Sequence, residues 1–350
     1  MYKLNIIAFI ISLQDFAPVL GSHMPDPAAS QAETATVRRN DGSTSALTPS
    51  DRVRVSNART SARSESTRRN YQSQWQSWTQ WAEYRGVSAL PAHPDMVEAY
   101  LSERAEFGHK PPTLRLAAAA ITFVHSMHEV PSPVNHNVRE TLKGLAEQYG
   151  RGQKQAAALT AEGLAAIRAT ACISRRGRGG RMETAEFARR RGLLDIAMVS
   201  LMRDALLRVG EAAELTWADL EDEADGTGRL TVHRSKTDRE ARGAVLFVSA
   251  QTMAAMNAVR NGAGPEERVF GLSVVQMTTR IKAAAKAAGL GEGYSGHSAR
   301  VGMARDLVRA GTELTALMNA GLWQSHDMPA HYTRAEEAGR GAVARYYGAT

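Results

Sequence analysis

The chain has 350 residues, 43% of them apolar, which is room for two domains with real cores and a tail. Its 43 Lys and Arg against 36 Asp and Glu leave a formal charge of +7, which favours a polyanionic partner, since each cation set on a phosphate releases a condensed counterion. The single cysteine, Cys172, excludes an intramolecular disulfide and any Cys-cluster metal site, and a reducing compartment is expected.

Lys3 precedes an apolar run from Leu4 to Leu13 that imitates a signal peptide but is shorter than the about 20 residues a membrane span takes. Gly21-Ser22-His23-Met24 has the look of a vector junction, so residues 1–23 are set outside the fold as an over-extended start or vector-derived leader. From Pro25 to about Ser66 the chain is rich in Ser, Thr, Ala and Arg without an apolar period. It offers too little apolar surface to offset ordering entropy, and residues 1–65 are expected to form a leader and a solvated arm.

Order is expected from Ser66-Thr67, a helix cap, followed by Tyr71, Trp75, Trp78 and Ala82 at helical spacing. Trp75, Trp78 and Trp81 could stack on bases, but a helical core is the simpler reading. His93-Pro94-Asp95 opens a second helix. Pro111-Pro112-Thr113 opens a third, with Leu116, Ala119, Ala120 and Phe123 as its apolar face. Pro131 and Pro133 break that helix, and Val138 to Tyr149 forms a fourth. Residues 66–149 thus read as an all-helical domain, and residues 150–158 as a linker.

Residues 159–350 read as a second, mostly helical domain, with Thr160 capping its first helix. Residues 174–191 carry seven arginines among Gly and Ser, either a solvated loop or a phosphate contact. An amphipathic helix follows from Leu193 to Leu207. Leu230 and Val232, then Val245 and Phe247, flank a polar tip as in a β-hairpin. Helices are expected over 250–261, 274–288, 296–310, 313–321 and 336–347. The fold class is mainly α with a small β-sheet.

Four pieces of this domain carry chemistry only together. Leu206 to Glu211 puts Arg208 at the end of an apolar helix with Glu211 a turn later, alone a surface ion pair. Ser235-Lys236-Thr237 sits at the hairpin tip, where a lysine is normally a solubilising charge. Gly296 to Arg300 opens a helix, and a spacing of three sets His297 and Arg300 on one face beside the free N–H groups of the helix start. Gly321-Leu322-Trp323 is followed nine residues later by Tyr332.

In this order and spacing, Arg208, Lys236, His297, Arg300, Trp323 and Tyr332 resemble the signature of the tyrosine recombinases, the phage integrase family. Tyr294 to Gly302, and a tryptophan at 323 where most members carry histidine, resemble its Cre-like branch. The resemblance covers residues 66–347 and implies a helical core-binding domain followed by an α+β catalytic domain. It implies a site-specific DNA recombinase in which Tyr332 is the nucleophile, Arg208 and Arg300 clamp the phosphate, His297 is an acid or base and Lys236 is the general acid. Trp323 would bond the phosphate or pack, and Glu211 would orient the clamp from behind. Neither ATP, metal nor other cofactor is implied, because one phosphodiester is exchanged for a bond of similar energy, and the sequence holds no P-loop pattern. The implied partners are double-stranded DNA with an inverted-repeat site and other copies of the chain, two on each site and four in synapsis. The segment from Ala335 to Tyr347 would dock on a neighbouring copy, with Tyr346 and Tyr347 as apolar anchors. A cytoplasmic, nucleoid-associated enzyme of a mobile element is the expected setting. A type IB topoisomerase, a telomere-resolving strand transferase and an inactive DNA-binding protein of the same fold are the alternatives.

Overall fold

The computed structural model describes residues 36–38, 44–46, 48, 50–51, 53–55, 58, 62–150, 152, 155–177, 179–233, 243–338 and 346–348. The chain divides into two compact units between Arg151 and Gly152. Among the described residues no helix is long and apolar enough to cross a membrane. The predicted leader lies outside the described residues. Within the predicted arm, β1 (Thr36–Arg38) pairs antiparallel with β2 (Thr44–Ala46).

The first unit is built on α1 (Glu65–Arg85), α2 (Pro94–Glu106), α3 (Pro111–Met127) and α4 (His136–Tyr149). Helix α1 starts slightly earlier than its sequence suggests, because the Ser64 hydroxyl accepts from the Thr67 N–H at 3.3 Å and so supplies the cap. Trp78 is fully buried, its indole N–H donates to the Ala89 carbonyl at 3.0 Å, and its ring meets those of Trp81 and Tyr100. The tryptophans are therefore core residues. On α3 the expected face is the half-buried one, apart from Ala120. Leu114, Ala117, Ala118, Ile121, Val124 and His125 fill the core instead. An alanine-rich helix carries its pattern in few large side chains, so a rotation of one position is hard to read. Phe123 lies towards the edge, against Tyr71 and beneath the Arg63 guanidinium.

The second unit surrounds α6 (Ala185–Asp204), preceded by α5 (Ala161–Thr170). Thr160 stands at the cap of α5, but the Ala161 N–H is met at 2.7 Å by the Asp306 carboxylate from across the unit. Helix α6 begins well before Leu193, capped by the Thr184 hydroxyl, and from Ala197 to Arg203 it is buried on every side. It is a central rather than an amphipathic helix.

After α7 (Val209–Glu214) and a 3₁₀ turn (Trp217–Asp219) come β3 (Leu220–Asp222), β4 (Gly228–Val232) and β5 (Ala244–Val248) in one antiparallel sheet. Leu230 pairs with Leu246 and Gly228 with Val248, so Leu230, Val232, Leu246 and Val248 share the buried face. The expected hairpin is present, with Val245 and Phe247 on its outward face. A shift of one residue moves a strand's side chains to the other face, and β5 is apolar at every position, so its inner face is not legible from pattern. Lys236, expected at a hairpin tip, lies outside the described residues.

The remaining helices are α8 (Ala250–Arg260), α9 (Val274–Ala287), α10 (Ser298–Arg309), α11 (Leu314–Ala320) and α12 (Asp327–Ala338). The last begins nine residues before the expected 336–347 helix and carries Tyr332 within it. Most of the expected helix lies outside the described residues, and Tyr346 and Tyr347 are exposed in the single chain.

Candidate active site

Two helix ends meet at Arg300. Helix α6 closes with Leu206 in the left-handed region (φ 46°), where the Leu206 and Leu207 N–H groups reach back to the carbonyls of Arg203 and Met202. Helix α11 closes the same way at Leu322 (φ 53°), with Trp323 N–H donating to Met318. A left-handed leucine costs roughly 1–2 kcal/mol, a position usually given to glycine. Leu206 offsets the cost by burial in an apolar cluster with Ala304, Val308, Leu317 and Trp323.

Both ends present carbonyls to the same guanidinium. Arg300, only 3% exposed on the first turn of α10, donates Nη1 to the Leu206 carbonyl and Nη2 to the Gly321 carbonyl. Helix carboxyl ends carry partial negative charge, so they suit a buried cation. The guanidinium also lies 4.2 Å from the centre of the Trp323 ring. Gly321 makes that stacking possible, because a Cβ there would fall 2.0 Å from the indole.

Arg208 stands at the start of α7, directly after the α6 turn. The Glu211 carboxylate accepts from the Arg208 backbone N–H at 2.8 Å and from its Nη1 at 2.6 Å, fixing both main chain and side chain. Burial, and then the nearby Arg208 charge, pull Arg300 down to about 10, against the opposing influence of Glu211 and Tyr332. Below that value Arg300 remains a cation.

Tyr332 is half-buried on α12, its ring edge-on to Trp323 with centroids 6.0 Å apart. Burial raises its phenol above the usual tyrosine value, while the charges of Arg300 and Arg208 draw it back down. Helix α12 is held to α10 by Glu336, which pairs with Arg305 and Arg309. Gln155, from the start of the unit, donates to the Tyr332 carbonyl at 3.4 Å.

His297 is exposed at the amino end of α10, whereas Arg300 is deep, so the two lie at different depths despite their spacing. The turn before His297 rests directly on α7 and α9. A Cβ on Gly296 would come within 2.8 Å of Val209 Cγ1 and 3.0 Å of Thr278 Oγ1. Gly302 lies closer still to the Leu159 main chain, whose N–H donates to the Ser298 carbonyl at 2.9 Å. Arg208, Glu211, Arg300, Trp323 and Tyr332 are thus linked through contacts or charge, with His297 on an adjoining turn. The positioning groups Leu206, Gly296, Gly321, Leu322 and Glu336 were not singled out from sequence. Only the Gly-Leu-Trp and Gly-His runs hinted at them. Among the described residues no group of three or more His, Cys, Asp or Glu is placed to hold a metal ion.

Residues 182–338 match the model of the phage integrase family. The chain is similar to the recombinase Cre of Escherichia phage P1, with 26% identity over 303 residues, covering 77% of this chain and 84% of that protein. The expected resemblance to Cre is borne out at the level of the whole chain. The fold is also that of the XerH site-specific recombinase in a post-cleavage complex with a palindromic difH substrate. That match has a TM-score of 0.53 and 15% identity over 73% of each chain.

Proposed function

We propose that this chain is a site-specific DNA recombinase in which Tyr332 is the covalent nucleophile. The observation that carries the reading is the Tyr332 phenol packed against Trp323, under the combined charge of Arg300 and Arg208. In the proposed step the phenol oxygen attacks the scissile phosphorus and a P–O bond forms to Tyr332 as the bond to the 5′-oxygen breaks. The product is a 3′-phosphotyrosine and a free 5′-hydroxyl.

Negative charge grows on the non-bridging oxygens, and arginines meet it with fixed, permanent donors. Arg208 and Arg300 are assigned to that clamp, with Arg300 held by the two helix ends and Arg208 by Glu211. Removing one such preorganised donor costs about 3–4 kcal/mol of barrier. The phenol proton passes to His297, whose exposure at the mouth of the site leaves room for substrate. The leaving oxygen takes its proton from Lys236, a role resting on the family resemblance. Trp323, with Arg300 over its face and Tyr332 edge-on to it, is assigned to shaping the pocket.

A 5′-hydroxyl from a second strand reverses the step, and because the bonds exchanged are similar in energy neither ATP nor metal is needed. The substrate is double-stranded DNA carrying an inverted-repeat site, bound by two copies, with four copies in synapsis, in the cytoplasm at the nucleoid. The likeness to Cre and to DNA-bound XerH supports this reading.

The test is covalent trapping. A site selected from randomised inverted-repeat duplexes, nicked beside the scissile phosphate, should give an SDS-resistant adduct with the wild-type chain and none with Tyr332→Phe. Adducts of equal yield from both proteins would place the nucleophile elsewhere.

A further inference from the structure

The arginine-rich segment before α6 is neither a loose loop nor wholly at the surface. Residues 175–177 and 181–183 form the two arms of a short hairpin: Arg176 bridges Met182, Gly177 N–H donates to the Arg181 carbonyl at 2.8 Å, and Glu183 N–H donates to the Arg175 carbonyl at 3.0 Å. Gly179 and Gly180, at φ 98° and 82°, make the turn.

Its base is fastened from inside. Arg191 forks onto Glu183 at 2.9 and 2.8 Å and donates to the carbonyls of Ala171 and Ile173. Buried Asp195 accepts from Arg280 of α9 at 2.8 Å and also faces Arg191 and Arg175. Burial raises the Asp195 carboxyl, against the pull of these arginines. Such a network costs desolvation and is weak evidence for added stability, so holding one geometry is a better account of it. Helix α9, which receives the staple through Arg280, also lies against Gly296 beside His297 through Thr278.

What the staple presents is a cationic tip. Arg176 and Arg181 on the hairpin, and Arg189 and Arg190 on α6, are exposed, and none forms an ion pair among the described residues. Glu186 is the one exposed carboxylate among the described residues of 173–191. The family match begins at residue 182, so the turn of this hairpin lies outside it.

We infer that this hairpin is a preformed clamp on the sugar-phosphate backbone of duplex DNA, with Arg176 and Arg181 as its contacts. The inference rests on the DNA-binding part of the proposed function. A hairpin already ordered by Glu183 and Arg191 loses little conformational freedom on binding, and arginine suits bidentate phosphate contact. Phosphate contacts carry no sequence information, so the clamp adds affinity without choosing the site.

The test uses the full chain and a fluorescent random-sequence 40-base-pair duplex, with binding followed by anisotropy over a salt series. Each phosphate contact contributes about 0.9 to the slope of log K against log salt. Arg176→Ala/Arg181→Ala should therefore lower the slope by about 1.8, with circular dichroism unchanged. The matched double Arg229→Ala/Arg260→Ala removes the same charge elsewhere and should leave the slope near the wild type. Glu183→Gln keeps both contacts but loosens the base, and should weaken binding with little change of slope. An unchanged slope in the hairpin double, an equal fall in both doubles, or no duplex binding by the wild type would each overturn the inference. Covalent trapping is read separately: an adduct without a slope change sinks the clamp alone, and a slope change without an adduct sinks the recombinase chemistry alone.

Discussion

Gly296→Ala places one methyl group where α7, α9 and the His297 turn meet. The added Cβ would stand 2.8 Å from Val209 Cγ1, 3.0 Å from Val209 Cβ and 3.0 Å from Thr278 Oγ1. Two of these atoms belong to a β-branched side chain with one preferred rotamer, and the third already donates to the Val274 carbonyl at 2.8 Å. The neighbours therefore move as backbone, and overpacking of this kind costs about 1–3 kcal/mol. In a unit of this size each kcal/mol lowers the melting temperature by about 2–4 °C. The rate should suffer more than the stability, because Val209 follows Arg208 directly and a shift of about 1 Å can cost about 100-fold. The assay is the single-turnover rate of adduct formation on a nicked site, beside a thermal melt. Val209→Ala removes Cγ1 and should restore part of the lost rate in the double variant, a positive coupling in the cycle. Wild-type cleavage by Gly296→Ala, or no recovery in the double variant, would refute the idea that this contact sets the Arg208–His297 geometry.

Three further outcomes follow from charge and burial. Because Arg208 and Arg300 draw the Tyr332 phenol down against burial, Arg208→Ala should shift the alkaline rise in adduct formation to higher pH; a profile lower in rate but unmoved in pH would argue that the charge does not reach the phenol. In the first unit, buried His125 accepts from Ala92 N–H through Nε2 and bonds the Ile121 carbonyl through Nδ1, and burial lowers its pKa. The unfolded chain then takes up the proton first, so this stability is present above about pH 6.5 and is lost as pH falls towards the folded value. Urea midpoints at pH 7.5 and 5.0 should differ more for the wild type than for His125→Gln, and equal differences would discount His125. Asp195→Ala leaves Arg175, Arg191 and Arg280 without their shared carboxylate, and the melt should show a loss of about 3–5 kcal/mol. A near-neutral result would mean that the hairpin base is held by Glu183 alone.

Much of the architecture is local and therefore legible in the chain. His93-Pro94-Asp95 starts a helix through its own side chain, and the order of Arg208, His297, Arg300, Trp323 and Tyr332 carries the family resemblance without any coordinates. Features that depend on a distant partner were misread or missed. Thr160 looks like a cap until Asp306 is seen to take the N–H, and β5 shows no inner face until Leu246 is paired with Leu230. The arginines of 175–191 look alike in sequence, yet Arg191 is half-buried against two carboxylates while Arg176 and Arg181 are exposed.

The site divides in the same way. The sequence by itself determined which kinds of group the proposed chemistry draws on, a phenol, two guanidiniums and an imidazole. Tertiary structure alone decided that Arg300 is gripped by the ends of two helices and that His297, three residues away, remains at the surface. The physical reason is that helix spacing fixes only the angle of a side chain about its own axis. Its depth is set by what the rest of the chain, here Leu206, Gly321 and Trp323, brings against it.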